Sequence, residues 1–305
     1  MRLPRITIAA TAALTLAGAA ACGGNSGETT GTTGGTALYG RLPDAIKEAG
    51  VIRFAGDSHP PYRIVANDGK TVTGIDKEIQ DALGKALGVR TEISIVNGLP
   101  AALSGMLASR YDAFNGPVKD TAEREKQFDA IVWMVSRTSY LIPKGGSAAV
   151  KDSGDLCGKR VAGAAGSVVE EQAKRLSDWC AKQGRPALAF IGLADTNGTI
   201  LAAKSGRADA AGMTESAAID AMAKEKDAYT YVTQTDEQGA GVDQLAMLVP
   251  KTGGLGPVVL EAFKEIFANG EYKRIVDKYG LQNVAVDQPA MNTATNTAPT
   301  TGAAQ

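Results

Sequence analysis

Arg124 lies in a stretch of sequence whose residue types suit the binding of an anion. In "DAFNGPVKDTAEREKQFDA", residues 112–130, Asp120 or Thr121 can cap a helix, and Glu123 adds a capping-box-like pattern. Arg124 would then lie in the first turn, where a cation opposes the helix dipole. A guanidinium there can bind a carboxylate through two parallel hydrogen bonds. A surface arginine paired with Glu123 or Asp120 fits the same pattern.

A second group of candidate side chains lies in "GDSHPPYRI", which contains Asp57, His59 and Tyr62. His59 is the single histidine of the chain, which argues against a zinc or iron site built from several histidines. No cofactor is therefore expected. His59 can stack on a ligand or hydrogen-bond to it, and a loop histidine that faces water fits equally well.

Ser167 could add a third contact. It follows a predicted strand, and Glu170 completes a Ser167-x-x-Glu170 capping box at the start of a helix. The free N–H groups there can contact a ligand, or the pattern can be a capped helix and nothing more.

Composition limits the possible functions. The 305 residues carry 32 basic against 33 acidic side chains, a balance that argues against nucleic-acid binding. Abundant glycine (36 residues) and few aromatics (5%) suit an α/β protein with many tight turns.

The first residues predict export. Arg2 and Arg5 precede an apolar run that ends in small residues before Cys22, so we expect a signal peptide over residues 1–21. Cys22 resembles the lipidation cysteine of bacterial lipoproteins, and residues 22–38 have the composition of a flexible tether. Cleavage near Ala21 that leaves a free thiol is the alternative.

Cys157 and Cys180 then remain as an even pair in an oxidising compartment. They flank a predicted strand–helix unit and are expected to form a disulfide. The spacing of a CxxC redox or zinc motif is absent from the sequence.

Strands and helices alternate along the chain, in one set from residue 39 and a second from about residue 150. This order predicts an α/β fold with parallel strands and helices on the sheet faces. Two such lobes suggest a protein that binds a ligand in the cleft between them. Residues 283–305 are rich in Ala, Thr, Asn and Pro and are expected to be disordered.

Six motifs in order make residues 40–282 resemble the bacterial extracellular solute-binding proteins of the polar-amino-acid family, which have the type II periplasmic-binding fold. The motifs are "GDSHPPYRI", "DGKTVTGIDKEI", "LASRYDAFNGPVKDTAERE", "LCGKRVAGAAGS", "SGRADA" and "ANGEYKRIVDKYG". The resemblance implies a monomeric, membrane-anchored receptor outside the cytoplasm that captures an amino acid or related carboxylate for an ABC permease.

The resemblance also implies two lobes that close around the ligand. Lobe 1 would comprise residues 39–142 and 243–282, and lobe 2 residues 143–242. The crossings near 142–144 and 237–242 would form the hinge.

The resemblance further assigns roles in the site. Arg124 matches the arginine that holds the α-carboxylate of an amino acid, and Thr121 matches the threonine at the helix start. Asn115 and Gly116 occupy the cleft strand. However, the spacing from Gly116 to Arg124 is one residue longer than in the family, so backbone contacts near Gly116 are not transferred. His59 falls near a position that often carries an aromatic ring.

Thr214 departs from the family pattern. Many members carry an aspartate there that pairs with the α-ammonium of the ligand, and Glu215 is only adjacent. An unpaired buried ammonium costs several kcal/mol, out of about 8 kcal/mol for a micromolar ligand. Either Glu215 or Asp57 supplies the charge, or the ligand carries no α-ammonium.

Two other functions use the same fold. A dehydratase-like enzyme that acts on a small acid would need a general acid or base, for which His59 with Glu215 or Asp57 is the visible candidate. Turnover abolished by His59→Ala would indicate the enzyme. A sensory module would present the ligand to a signalling partner. Neighbouring genes for a permease and an ATPase would indicate the transport receptor.

Overall fold

Two β-sheets with helices packed on them organise residues 35–146 and 149–296, which are the residues that the computed structural model describes. The predicted signal peptide, Cys22 and most of the tether lie outside the described residues, as does the end of the chain from residue 297.

The strands are β1 (Val51–Gly56), β2 (Ile64–Val65), β3 (Val72–Thr73), β4 (Arg90–Ile95), β5 (Ala113–Lys119), β6 (Phe128–Ser136), β7 (Thr138–Pro143), β8 (Arg160–Ala164), β9 (Ala189–Leu193), β10 (Ala210–Thr214), β11 (Tyr229–Thr233), β12 (Asp243–Pro250) and β13 (Ala285–Met291). The helices are α1 (Asp44–Ala49), α2 (Ile75–Leu87), α3 (Gly98–Leu107), α4 (Val168–Lys182), α5 (Thr196–Lys204), α6 (Glu215–Lys224), α7 (Leu255–Ala268) and α8 (Glu271–Lys278). Short 3₁₀ turns occupy Tyr39–Arg41, Arg124–Lys126, Ser153–Leu156, Asp236–Gln238 and Gln282–Val284.

The first lobe is built on the sheet β13-β6-β12-β5-β1-β4. Strand β1 runs parallel to β4 and β5, whereas β12 is antiparallel to β5 and β6. Helix α2 buries Ile75, Ile79 and Leu83, which the helical spacing of its apolar residues predicts. Gly88, with φ of 71°, ends this helix in the left-handed region.

The second lobe is built on the sheet β11-β7-β10-β8-β9. Strand β8 is parallel to β9 and β10, and β7 is antiparallel to β10 and β11. The predicted disulfide between Cys157 and Cys180 is confirmed, and it joins the loop before β8 to the end of α4. The expected two-lobe α/β architecture is also confirmed, with mixed rather than purely parallel sheets.

The first crossing between the lobes lies at Arg137, and the prediction of residues 142–144 was wrong. Strand β6 ends at Ser136 in the first sheet, and β7 begins at Thr138 in the second. The only local mark of the change of sheet is the short polar run of residues 136–139, which contains no glycine or proline. The second crossing lies between β11 and β12, and it contains the predicted residues 237–242.

The segment after Leu281 is ordered as far as residue 296, which corrects the prediction of a disordered tail from residue 283. Strand β13 pairs with β6, with Ala290 opposite Val132 and Met291 opposite Ile131. Val284 is buried in the core of the first lobe, and Ala285 and Met291 pack against that core. The backbone of β13 also pairs with the edge of an existing sheet, which composition does not reveal.

The described helices include none whose length and apolar character would let it cross a membrane. Within the same residues, no group of three or more His, Cys, Asp or Glu side chains is arranged to hold a metal ion.

Candidate functional site

Arg124 lies in the short loop between β5 and β6, in a 3₁₀ turn rather than in the predicted helix. The Thr121 hydroxyl accepts a hydrogen bond from the Arg124 N–H at 3.2 Å. The predicted capping box is not formed, because β6 begins at Phe128 and leaves too little chain for an α-helix. Glu123 is exposed and pairs with Lys126 instead.

The guanidinium of Arg124 bridges the two lobes. Its Nη1 donates to the Lys119 carbonyl at 2.8 Å, and its Nη2 donates to the Gly166 carbonyl at 2.9 Å. Burial lowers the pKa of Arg124, and the carboxylates of Glu171 and Asp120 partly oppose this shift. The half-buried guanidinium therefore has main-chain carbonyls as its hydrogen-bond partners rather than a carboxylate.

A bulge in β5 lies within the segment from Gly116 to Arg124, the segment whose spacing is one residue longer than in the family that the sequence resembles. Asn115 lies opposite Met247 of β12 and Val118 lies opposite Ala246, so Gly116 and Pro117 are extra residues in β5. A Cβ atom at Gly116 would come within 2.3 Å of the Val118 side chain. Asn115 is fully buried, and its Nδ2 donates to a main-chain carbonyl of α2 at 3.4 Å. Both residues shape the strand that leads to the arginine.

Asp57 belongs to a buried ion-pair network in the first lobe. The guanidinium of Arg63 pairs with the carboxylates of Asp57 and Asp76 and donates to the Asn115 carbonyl at 2.7 Å. Arg63 is 1% exposed and lies over the Phe114 ring at 5.0 Å. One oxygen of the Asp57 carboxylate therefore already has a cationic partner, which Asp57 shares with Asp76.

His59 connects the lobes, and the alternative of a histidine that faces water is wrong. Its Nδ1 shares a hydrogen bond with the Thr196 hydroxyl at 3.0 Å, and its Nε2 lies 3.4 Å from the Thr214 hydroxyl. Burial lowers the pKa of His59 to about 4, with Asp57 opposing the shift and Arg63 adding to it. The ring is neutral at pH 7, and its edge-on contact with Tyr62 has a centroid distance of 5.3 Å.

The Tyr62 side chain lies between neutral hydroxyl groups and the buried ion-pair network of Arg63 and Asp76. Burial raises the pKa of Tyr62 to about 12, and the hydroxyls of Ser216 and Thr214 are its polar neighbours. Among the described residues, the hydroxyl oxygens of Tyr62, Ser216 and Thr138 are buried without a hydrogen-bond partner. Thr138 is paired with Thr214 across β7 and β10, so their side chains share a face of the sheet.

Ser167 caps α4, as predicted. Its Oγ accepts from the Val169 N–H at 3.2 Å and donates to the Ala164 carbonyl at 2.6 Å. Glu170 accepts from the Gly166 N–H at 2.6 Å rather than from Ser167, so the expected capping box is displaced by one residue. An open cavity of about 520 Å³ borders this turn and is lined by Gly166, Ser167, Glu170, Glu171, Ala173, Lys174, Ser177, Leu188 and Phe190.

Thr214 caps α6, where its hydroxyl accepts from the Ala217 N–H at 3.3 Å. It is 1% exposed and faces His59. The half-buried Glu215 accepts from the Thr233 hydroxyl at 3.5 Å. The carboxylate of Glu215 thus lies toward β11, whereas the position beside His59 holds an uncharged hydroxyl.

Sequence reasoning missed several contacts between the lobes. The Asn197 amide donates to the Ser58 hydroxyl at 2.7 Å, beside the pair of His59 and Thr196. The Gln172 amide donates to Asp243 at 2.8 Å near the second crossing. A local signal could have pointed to Thr196. Asp195 caps α5 by accepting from the Gly198 N–H, so the hydroxyl of Thr196 is not needed as the cap and can bond to a residue of the other lobe.

The sequence matches the family of bacterial extracellular solute-binding proteins, family 3, over residues 52–282. It is also similar to the arginine-binding protein ArgT of Corynebacterium glutamicum, with 24% identity over 264 residues, covering 84% of this chain and 82% of that protein.

Solved structures share the fold. One is the substrate-binding protein of an amino acid ABC transporter, with a TM-score of 0.66, 26% identity, and coverage of 76% of this chain and 100% of that one. Another is AbpA of Streptococcus pneumoniae Canada MDR_19A bound to L-arginine, with a TM-score of 0.66, 23% identity, and coverage of 77% and 97%.

Proposed function

Because the chain belongs to the bacterial extracellular solute-binding proteins of family 3, we propose that Arg124 binds the carboxylate of a small solute between the two lobes. The protein is a receptor of an ABC importer that captures an amino acid or related carboxylate outside the cytoplasm. Binding of the carboxylate by Arg124 would hold the lobes closed for delivery to the permease.

The contact of Arg124 with both lobes carries this proposal. Its two N–H donors bond to the carbonyls of Lys119 and Gly166, which are neutral acceptors. A carboxylate forms shorter and stronger bonds with a guanidinium, often as a bidentate pair. A solute carboxylate that replaces the Gly166 carbonyl would also lie near the N-terminal end of α4, where the helix dipole favours an anion.

The part of the site around His59 and Thr214 favours a solute that places no ammonium group there. Asp57 is paired with Arg63, and Glu215 bonds to Thr233. His59 and Thr214 offer uncharged hydrogen-bonding groups. A buried ammonium without a carboxylate partner loses several kcal/mol of hydration. We infer that a small carboxylate binds more tightly than the matched α-amino acid.

A melting-shift panel tests both parts of this proposal. Ligand released from the purified protein would first be identified by mass spectrometry. The panel would then compare amino acids, arginine among them, with matched carboxylates that lack the amino group. We expect the carboxylates to give the larger shifts. Shifts with arginine alone would contradict the inferred solute class while leaving the receptor role intact.

His59 and Asp57 support binding rather than catalysis. A general acid or base works best with a pKa near the working pH. The pKa of His59 is lowered to about 4, and Asp57 is held by Arg63. The dehydratase alternative therefore gains no support from these two groups.

Lipidation of Cys22 would anchor the receptor to the cell membrane, with the Gly/Ser/Thr-rich segment after it as a tether. Mass spectrometry of the N-terminal peptide and detergent phase partitioning would test this. We expect Cys22→Ser to move the protein into the aqueous phase. If the wild type also partitions into the aqueous phase, the anchor assignment fails.

A further inference from the structure

The chain continues past the region that matches the family, and this continuation packs beside the loop of Arg124. The family match ends at residue 282, whereas the structure describes the chain to residue 296. We name residues 285–296 the C-terminal strap. Its strand β13 adds to the edge of β6, and the residues after it reach the loop between β5 and β6.

Asn292 fixes the turn between these two parts of the strap. Its N–H donates to the Ala130 carbonyl at 2.8 Å, and its Oδ1 accepts from the Ala130 N–H at 2.9 Å. Its Nδ2 donates to Asp129 at 3.2 Å. With φ of 58°, Asn292 adopts the left-handed conformation that asparagine tolerates better than most residues. The strap is therefore anchored to β6 before it meets the loop.

Two carboxylates of the loop receive the hydrogen bonds of the strap. Asp120 accepts from the Thr293 N–H at 2.7 Å, and it shares the single hydrogen of the Thr293 hydroxyl with the side-chain oxygen of Gln244. Glu125 accepts from the Ala294 N–H at 2.8 Å, from the Thr295 N–H at 3.0 Å and from the Thr295 hydroxyl. Asp120 and Glu125 are only 6% and 4% exposed.

These carboxylates need the donors of the strap. In the described ranges neither forms an ion pair with a lysine or arginine, and a buried carboxylate without partners is strongly destabilising. The two carboxylates also interact with each other: burial, together with the hydrogen bond to Glu125 and the charge of Glu125, raises the pKa of Asp120 to about 6, and the hydrogen bonds from Thr293 oppose this shift. Without the strap, both carboxylates would lose these donors, and a loop conformation that lets water reach them would be favoured.

Asp120 and Glu125 lie on either side of the ligand-binding arginine. Asp120 directly follows Lys119, whose carbonyl accepts from the Arg124 guanidinium at 2.8 Å. Glu125 directly follows Arg124, and its N–H donates to the Thr121 carbonyl at 3.0 Å. We propose that Thr293 and Thr295 of the C-terminal strap are positioning residues that hold Arg124 in its solute-binding geometry by hydrogen-bonding Asp120 and Glu125.

This inference rests on the proposed role of Arg124, and a pair of matched double variants tests it. Thr293→Val with Thr295→Val keeps the shape of both side chains and removes both hydroxyl donors. Thr293→Ser with Thr295→Ser keeps the donors. Dissociation constants would be measured by calorimetry on the full chain, with the member of the melting-shift panel that stabilises wild type most as the probe. Hydrogen exchange of residues 120–127 would be measured in parallel.

We expect the valine pair to bind the solute about tenfold more weakly and the serine pair to stay within about twofold of wild type. Exchange in residues 120–127 should be faster in the valine pair only. Unchanged affinity in the valine pair would overturn the proposal, as would an equal loss in the serine pair. Should the valine pair not fold, Thr295→Val and Thr295→Ser alone provide the same comparison.

Failure of the proposed function gives a different result. In that case wild type itself binds no solute of the panel, and the affinity comparison does not apply. Hydrogen exchange then decides: faster exchange of residues 120–127 in the valine pair than in the serine pair supports the positioning role of Thr293 and Thr295. Equal exchange refutes it.

Discussion

The guanidinium of Arg124, in the first lobe, donates a hydrogen bond to the Gly166 carbonyl of the second lobe at 2.9 Å. Gly166 directly precedes Ser167, which caps α4, so this contact lies at the positive end of a helix dipole. The group that would bind a carboxylate thus contacts the opposite lobe. Solute binding and lobe closure are therefore expected to be linked, because a solute bound here interacts with both lobes only when they are closed.

Arg124→Ala should abolish detectable binding of the solute. The variant loses a charge-assisted bidentate contact and also leaves the solute carboxylate desolvated, so we expect the affinity to fall at least about a hundredfold. Arg124→Lys should retain part of the affinity, because it keeps the charge and loses the planar fork. The measurement is the ligand-induced shift in melting temperature together with calorimetric dissociation constants.

Arg207→Ala is the matched control for this prediction, since it removes an exposed arginine of the second lobe. Its affinity should equal that of wild type. Binding by Arg124→Ala as tight as that of wild type would show that the carboxylate is held elsewhere.

Acid should destabilise the protein through His59. Above pH 6.5 the ring is neutral in both the folded and the unfolded chain. As the pH falls from 6.5 to about 4, only the unfolded chain takes up the proton, so the free energy of unfolding decreases. The loss should total about 3 kcal/mol, at 1.36 kcal/mol per pKa unit, and it should level off below pH 4.

His59→Gln isolates this contribution, because glutamine hydrogen-bonds but does not titrate. Urea unfolding of both proteins from pH 4 to pH 8 gives the difference in free energy at each pH. Asp120, whose pKa is raised to about 6, acts in the opposite direction in the same window and cancels in that difference. A difference that does not change with pH would mean that the pKa of His59 is the same in the folded and the unfolded protein, and a difference that grows as the pH rises would mean that folding raises this pKa.

Much of the fold is readable from the sequence, because strand and helix periodicities and glycine stops are local signals. Helix α2 shows this, with its buried Ile75 and Ile79 and its end at Gly88. The change of sheet at Arg137 is marked locally only by the polar run 136–139, because β6 and β7 are both buried almost throughout and no glycine or proline separates them. Strand β13 likewise depends on an edge strand more than 140 residues away in sequence.

The candidate site was only partly predictable for the same reason. The types of Arg124, His59 and Thr214 pointed to it, and the structure brings His59 against Thr214. The ion pair of Asp57 with Arg63 changes what Asp57 can do, and spacing along the chain does not show it. Partners that belong to different lobes can only be identified once the fold is known.

Removal of the disulfide should lower stability. The bond between Cys157 and Cys180 spans 23 residues, for which the chain-entropy model gives about 3 kcal/mol. Cys157→Ser with Cys180→Ser should therefore reduce the melting temperature by roughly 5–10 °C. Calorimetry measures the change, and peptide mapping without reductant verifies the bond in wild type. A melting temperature that is unchanged in the variant would show that the bond adds no stability.

Thr214→Asp should shift the preference of the site toward solutes with an ammonium group. Aspartate is as good a helix cap as threonine, so the cap of α6 on the Ala217 N–H can be kept. The new carboxylate would lie beside His59 and raise the pKa of its ring, so the measurement belongs at pH 8, where the ring stays neutral. A close opposite charge offsets the cost of burying the ammonium.

We expect the affinity for an α-amino acid, relative to the matched carboxylate without its amino group, to rise about tenfold or more in Thr214→Asp. Thr214→Asn is the control, because asparagine has nearly the same shape as aspartate and also caps a helix but carries no charge. Its ratio should stay near that of wild type. If Thr214→Asp and Thr214→Asn give the same ratio, the solute group at this position does not reach residue 214, and the preference must be set by another part of the cleft.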